Sequence, residues 1–221
     1  MAYRPKILAT TEGGTGLAAA GTSGNVLTSN GTNWTSAAAS GSGDWVMISS
    51  QTASSSATIN FTSLSSTYST YVVLITNLGP ATDQASFYMR TSANNGSTYD
   101  SGASDYKWFV KTTNMGSSVE TLQDGSTGKG YIQLTSTQSG TNSFGNLSTE
   151  KGSLWIKIFN PSAVKYCRIM CEGSYTSNTP EEVLVISNGV RVASADVDAI
   201  RFLFSTGNIA TGTFTLYGIV A

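Results

Sequence analysis

Residues 10–36 read TTEGGTGLAAAGTSGNVLTSNGTNWTS. Val26, Leu27 and Trp34 stand among Gly-Thr, Ser-Gly and Asn-Gly turn pairs. The segment is spaced like something that folds, yet it is too poor in apolar residues to offset its own ordering entropy. It becomes ordered only where other copies, or another protein, supply the missing apolar surface. The stretch therefore predicts a component of an assembly.

Around it the chain falls into three segments. Residues 1–9 form a basic-apolar tip. Residues 10–43 are rich in Gly, Ser, Thr and Ala and end in SAAASGSG, a flexible joint by composition. From Asp44 to the end, residues 44–221, short apolar runs recur between turn signals. The whole is long enough for one ordinary domain plus an appendage. Charged residues make up 11% of the chain, against roughly 25% in an average soluble domain. The 4 Trp, 10 Tyr and 8 Phe still provide for a real core.

Low charge with plentiful Thr, Tyr, Val and Ile favours strands. A dozen are expected: 45–49, 57–61, 71–77, 85–91, 105–112, 130–136, 153–159, 165–172, 183–187, 189–193, 199–205 and 213–220. No stretch carries a clear 3.6-residue apolar period, although residues 194–198 fit a single helical turn. This pattern predicts an all-β, antiparallel sandwich or barrel. Leu154, Ile156 and Ile158 share one face of their strand, and Trp155, Lys157 and Phe159 the other. Such a strand needs cover on both sides. It is either central within one domain or set against a neighbouring subunit.

Several function classes drop out. The net charge is −1 and the 12 Lys and Arg are scattered, which argues against a nucleic-acid partner. There is no histidine, so Ser-His-Asp and Cys-His systems and His-ligated metals are excluded. Cys167 and Cys171 lie four apart in a strand-like run, about 13 Å between Cα atoms at strand rise, too far for a disulfide. They are expected to be buried free thiols, with synthesis in a reducing cytosol. MAYRPKILA lacks the apolar core of a signal peptide. No run approaches a membrane-spanning length, so no membrane insertion is expected.

Three stretches resemble bacteriophage tail-fibre proteins. GGTGLAAAGTSGNVLTSNGTNW (residues 13–34) is similar to a shaft segment near the start of many such fibres. DQASFYMRTSANNGSTYDSGASDYKW (83–108) resembles a strand-loop-strand piece of fibre heads, and IRFLFSTGNIATGTFTLYGI (200–219) their closing strands. The resemblance implies a homotrimer with an extended, intertwined shaft at residues 10–43. Val26, Leu27 and Trp34 would then be shaft contacts. It also implies a jelly-roll-like β-sandwich head at 44–221 that contacts host surface polysaccharide, and an N-terminus docked on phage tail or adaptor proteins. The location would be the virion tail after synthesis in the host bacterial cytoplasm. Only one shaft unit is visible and the chain is short for a fibre, so an adaptor or capsid decoration without receptor binding is the alternative.

For docking, Tyr3, Arg4, Pro5, Lys6, Ile7 and Leu8 combine a fixed-φ proline, two cations and two aliphatics. They suit strand addition or ion pairing in a groove, or else a frayed terminus. For receptor binding, Tyr99, Tyr106 and Tyr175 lie in or beside loops, with Asp100 and Asp105 near the first two. An aromatic face beside Asp or Asn cradles a sugar ring. Each of these tyrosines equally reads as a packing anchor, and Trp108, within an alternating run, reads as core. Asp100 and Asp105, five apart in a Gly/Ser loop, offer oxygen ligands of the kind calcium takes, without EF-hand spacing; turn chemistry explains them as well. No metal or other cofactor is expected. A polysaccharide hydrolase would need a carboxylate pair at fixed separation. The acids, Asp196 and Asp198 among them, fall at turns and strand ends, and the chain is expected not to be an enzyme.

Overall fold

Alternating apolar and polar residues bury one face only when the backbone is extended, and every helix or strand element among the described residues is a strand. The structure is a computed structural model that describes residues 15–17, 21–38, 45–116, 121–136, 142–162 and 166–219. The chain divides into two compact units, Met1–Gly43 and Asp44–Ala221.

In the first unit, β1 (Asn25–Ser29) and β2 (Trp34–Ala38) pair antiparallel. The turn is an Asx turn: Asn30 Oδ1 accepts from Thr32 N at 3.0 Å and Asn33 N at 2.7 Å. Gly31 takes φ 88° there, a conformation open to glycine at little cost. Residues 25–38 of the Gly/Ser/Thr-rich segment thus double back as a hairpin.

The second unit holds two antiparallel sheets. Their strands, in chain order, are β3 (Trp45–Ser56), β4 (Ile59–Phe61), β5 (Thr70–Pro80), β6 (Phe87–Ser92), β7 (Tyr106–Asn114), β8 (Thr121–Lys129), β9 (Ile132–Gln133), β10 (Gly152–Phe159), β11 (Arg168–Thr176), β12 (Glu182–Arg191), β13 (Ala199–Phe204) and β14 (Ile209–Ile219). The larger sheet runs β3-β14-β5-β10-β11-β12-β7-β8 and the smaller β4-β13-β6-β9. Their inward residues form one buried cluster. Phe87 of β6 and Phe202 of β13 both meet Phe214 of β14, at 6.3 and 5.6 Å between centroids. Four strands cannot cover eight, and loops complete the lid. Phe144 bridges by backbone to Ala85 beside the small sheet and to Ser177 beside the large one. Its ring stacks on Tyr175 at 4.6 Å.

Three expectations are corrected. Residues 183–187 and 189–191 belong to one strand, β12, and Val192 and Ala193 lie past its end as bends. Asn188-Gly189 reads as a turn, but Gly189 faces inward, where a Cβ would stand 2.5 Å from Ile132 Cγ2. The glycine marks close packing, not a break. β8, TLQDGSTGK, has a single large apolar side chain and shows no strand pattern; backbone pairing to β7 makes it a strand. Residues 194–198 form bends rather than a helical turn. Cys167 and Cys171 are buried and free. Burial raises both thiols, Cys167 to about 12.

The Gly189 contact sets a test. Gly189→Ala overpacks the site and should cost about 1–3 kcal/mol, read as a lower urea midpoint. Ile132→Ala should cost about 2–5 kcal/mol by opening a cavity. Because the added methyl occupies space that Ile132 vacates, the double variant should lose clearly less than the two costs added.

Candidate functional site

The hairpin presents its apolar groups to solvent within this chain. Leu27 and Trp34 share one face and are 52% and 44% exposed; Val26, on the other face, is 44% exposed. A two-stranded hairpin with no apolar cover is marginal on its own. Tyr3, Arg4, Pro5, Lys6, Ile7 and Leu8 lie outside the described residues.

The receptor candidates separate into two groups. Tyr106 and Tyr175 are corrected: both are fully buried and reach no surface. The Tyr106 hydroxyl accepts from Thr91 N at 2.8 Å, and the Tyr175 hydroxyl donates to Asn142 O at 2.7 Å. Burial raises both phenols, Tyr106 to about 12. Asp100 is a clasp. Arg191 Nε donates to its Oδ2 at 2.5 Å, the two side chains being 5% and 29% exposed, and Thr91 Oγ1 also donates to it. Asp105 Oδ2 accepts from Gly102 N at 2.6 Å and closes its turn. The two carboxylates therefore do the structural work that turn chemistry assigns them.

Tyr99 is half-buried and forms part of a polar-aromatic corner. Arg201 Cζ lies 3.9 Å from its ring centroid, a cation–π contact. Arg201 Nε also donates to Asn60 Oδ1 at 2.8 Å. Strand register places Asn60, Arg201 and Arg90 in one row across the outer face of the small sheet. The loop beneath is fixed: Asn95 N donates to Asp198 Oδ1 at 2.7 Å, and Gly96 N to Ser92 Oγ at 2.9 Å. A second row on that face holds Leu203, Tyr88 and Gln133. Tyr131 stacks on Tyr88 at 3.9 Å. Burial raises the Tyr88 phenol to about 12, so its hydroxyl keeps its proton at neutral pH. Sequence reasoning missed Arg201, Arg90, Tyr88 and Tyr131 as surface groups. The alternation in Phe87-Tyr88-Met89-Arg90 was the available signal, since the residues between core positions must face out.

The outer face of the large sheet differs in kind. Trp45, Met47, Phe109, Trp155, Leu184 and Ile186 are each 41–63% exposed. Trp45 meets Trp155 at 5.4 Å and Tyr217 at 5.6 Å, edge to face. Trp155 sits between Leu74 and Glu172 across β5, β10 and β11. Lys157 Nζ donates to Glu172 Oε1 at 2.8 Å, neutralising two charges beside it. Toward β7 a trough of about 520 Å³ opens between Phe109, Phe159 and Tyr166, with Met170 and Val190 on its lining. The strand Leu154–Phe159 therefore buries Leu154, Ile156 and Ile158 and leaves Trp155 uncovered within this chain.

Comparison with known protein families, curated proteins and solved structures finds no match.

Alkaline titration reports on this placement. The unfolded phenol titrates near 10 and the unfolded thiol near 9. Tyr88, Tyr106, Tyr175, Cys167 and Cys171 are all raised on folding. Their contribution to stability is fully present below about pH 9 and is lost as pH climbs toward 12. Phenolate absorbance near 295 nm should show fewer tyrosines ionised at pH 11 in native protein than in urea. The remainder should appear with unfolding.

Proposed function

We propose that this chain is a virion structural protein, a homotrimeric phage tail fibre. In this reading residues 44–221 form a jelly-roll-like β-sandwich head, and the Gly/Ser/Thr-rich segment with its hairpin forms the intertwined shaft. The N-terminal tip docks on the tail or on an adaptor protein. The head binds host surface polysaccharide and performs no catalysis.

The observation that carries the reading is the apolar outer face of the eight-stranded sheet. A row of large apolar groups, among them Trp45, Met47 and Trp155, lies open on a sheet whose other face is buried along its central strands. Soluble monomers seldom leave such a face uncovered, and patches of this kind mark association surfaces. Lys157 and Glu172 beside Trp155 are already paired, while Lys107, Lys111 and Arg168 stand toward the β7 end of the face, so the part around Trp45, Met47 and Trp155 is the part most readily covered. The exposed Leu27 and Trp34 of the hairpin make the same demand in the other unit. Self-association would meet both demands, and the resemblance of the three stretches favours a copy number of three.

Glycan contact is assigned to the outer face of the small sheet. Tyr99, Tyr88 and Tyr131 offer ring faces there, and Arg201, Arg90 and Asn60 offer donors around them. The aromatic body binds the C–H face of a sugar while the polar rim selects its hydroxyls.

Light scattering should give about 69 kDa, three times the 23.1 kDa chain. Trp155→Asp combined with Met47→Asp should shift the folded protein to about 23 kDa, with its far-ultraviolet dichroism retained. A wild-type mass of one chain would overturn the reading. The receptor role has its own test. Labelled protein should adsorb to host cells and cease to do so once surface glycans are stripped, and Arg201→Ala should weaken adsorption several-fold. Adsorption that survives stripping would remove glycan as the receptor. Its complete absence at micromolar protein would favour the adaptor role.

A further inference from the structure

The outer face of the small sheet holds two arginines in direct opposition. Arg90 of β6 and Arg201 of β13 are partners in register across antiparallel strands. Residues opposed in this way have Cβ atoms about 4.5–5.5 Å apart, and like charges there destabilise the sheet. Both side chains are half-buried, so water and salt screen them less than an exposed pair.

Each guanidinium is held by one nitrogen on a neutral acceptor. Arg90 Nε donates to Gly130 O at 2.9 Å, and Arg201 Nε to Asn60 Oδ1 at 2.8 Å. The Nη atoms of both have no partner among the described residues, and no carboxylate there forms an ion pair with either arginine. Two acids in the adjoining segments are committed elsewhere. Asp100 is clasped by Arg191, and Asp198 Oδ1 accepts from Asn95 N. Accepting from Arg201 also fixes the Asn60 amide, so its far end is Nδ2, which can only donate. Asn60 is in register with Arg201 on the other side. The row Asn60, Arg201, Arg90 thus presents donors and two uncompensated positive charges.

We propose that this row binds a negatively charged sugar, whose carboxylate or phosphate group lies over Arg90 and Arg201. An anion there is attracted by both cations and offsets the repulsion that the strand register builds in. The planar guanidinium fork matches the paired oxygens of either group. Asn60 Nδ2 is placed for a neighbouring hydroxyl. Ring faces for the sugar stand on both sides. Tyr88 is two residues along β6 on the same face, and Tyr99 lies against Arg201. A neutral sugar would gain the rings and hydrogen bonds but would leave the two cations opposed. The inference rests on the glycan-binding reading given above and deepens it by naming the charge class of the sugar.

The test follows the arginine Nε–H resonances of 15N-labelled protein. The Arg90 and Arg201 signals are assigned as those lost in Arg90→Gln and Arg201→Gln. Glucuronate, glucose 6-phosphate, glucose, acetate and inorganic phosphate are each titrated to about 100 mM at constant ionic strength, so that screening is held fixed. At least one acidic sugar should shift both resonances saturably, with half-saturation on the order of millimolar. Which of the two does so identifies the carboxylate or the phosphate as the anion. Each Gln variant should weaken binding about tenfold or more, read on the remaining arginine. Arg168→Gln removes an exposed cation from the other sheet and should leave binding unchanged. Unmoved backbone resonances elsewhere show that each variant is folded. The proposal is overturned if neither acidic sugar shifts both signals, or if glucose, acetate or inorganic phosphate does so as readily as the acidic sugar. It is equally overturned if Arg168→Gln weakens binding as much as the other two changes. Cell adsorption separates this claim from the one beneath it. Glycan-dependent adsorption without the shifts removes the anion site and leaves the receptor reading standing. Saturable shifts without adsorption support the anion site and remove the receptor reading.

Discussion

A wide antiparallel sheet with large side chains on both faces calls for cover on both, and within the second unit the described residues close only one. The inner face of the eight-stranded sheet is closed by four shorter strands and by loops such as the one carrying Phe144. Its outer face carries Trp45, Met47, Trp155 and Ile186, each 41–63% exposed among the described residues. The inequality is built into β10, where Leu154, Ile156 and Ile158 are packed away and Trp155, between them, is not. Each large aromatic buried at an interface contributes on the order of a few kcal/mol. A row of them would be enough to hold the proposed assembly together.

The low charge of the chain has the same origin. A sheet face destined to be covered can carry few unpaired ions, since burying an unpaired charge costs more than the apolar contacts around it return. Lys157 and Glu172 lie on that face already paired. Several buried polar groups elsewhere are likewise tied down. The Asp100–Arg191 clasp holds the loop leading into β7 against the end of β12, while Tyr106 and Tyr175 use their hydroxyls to anchor neighbouring backbone. These internal ties keep the loops around Tyr99 stiff. A stiff aromatic-guanidinium corner loses little entropy when a ligand settles on it.

Strand alternation made most of the sheet legible from the sequence. It grouped Leu154, Ile156 and Ile158 on one face of their strand, and all three are buried together. It failed where backbone rather than side chains decides. β8 is a strand because β7 offers it hydrogen bonds, and its own side chains carry almost no pattern. Asn188-Gly189 looks like a turn, yet the glycine serves Ile132. The site residues failed for a related reason. Tyr99 and Tyr175 look alike by residue type and neighbourhood in the chain, whereas Tyr106 alternates with Trp108 and could have been read with it as core; only Tyr99 lies on a loop and is half-exposed. Arg201 was recognisable as outward-facing, but its contact with Tyr99 depends on a crossing between β13 and the loop after β6 that no local pattern encodes.

The corner proposed for sugar gains most in an assembly. An open corner of Tyr99 and Arg201 binds a single sugar weakly. Weak contacts of this kind become effective when several are presented at once on one rigid body, because each later contact forms at high local concentration. The apolar face of the large sheet is what would bring copies together in the proposed assembly, and the Tyr99–Arg201 corner lies on the small sheet that shares its core. Association would then lend its strength to recognition. Loss of the first should reduce the second to the strength of a single sugar contact, even though no sugar-binding residue has changed.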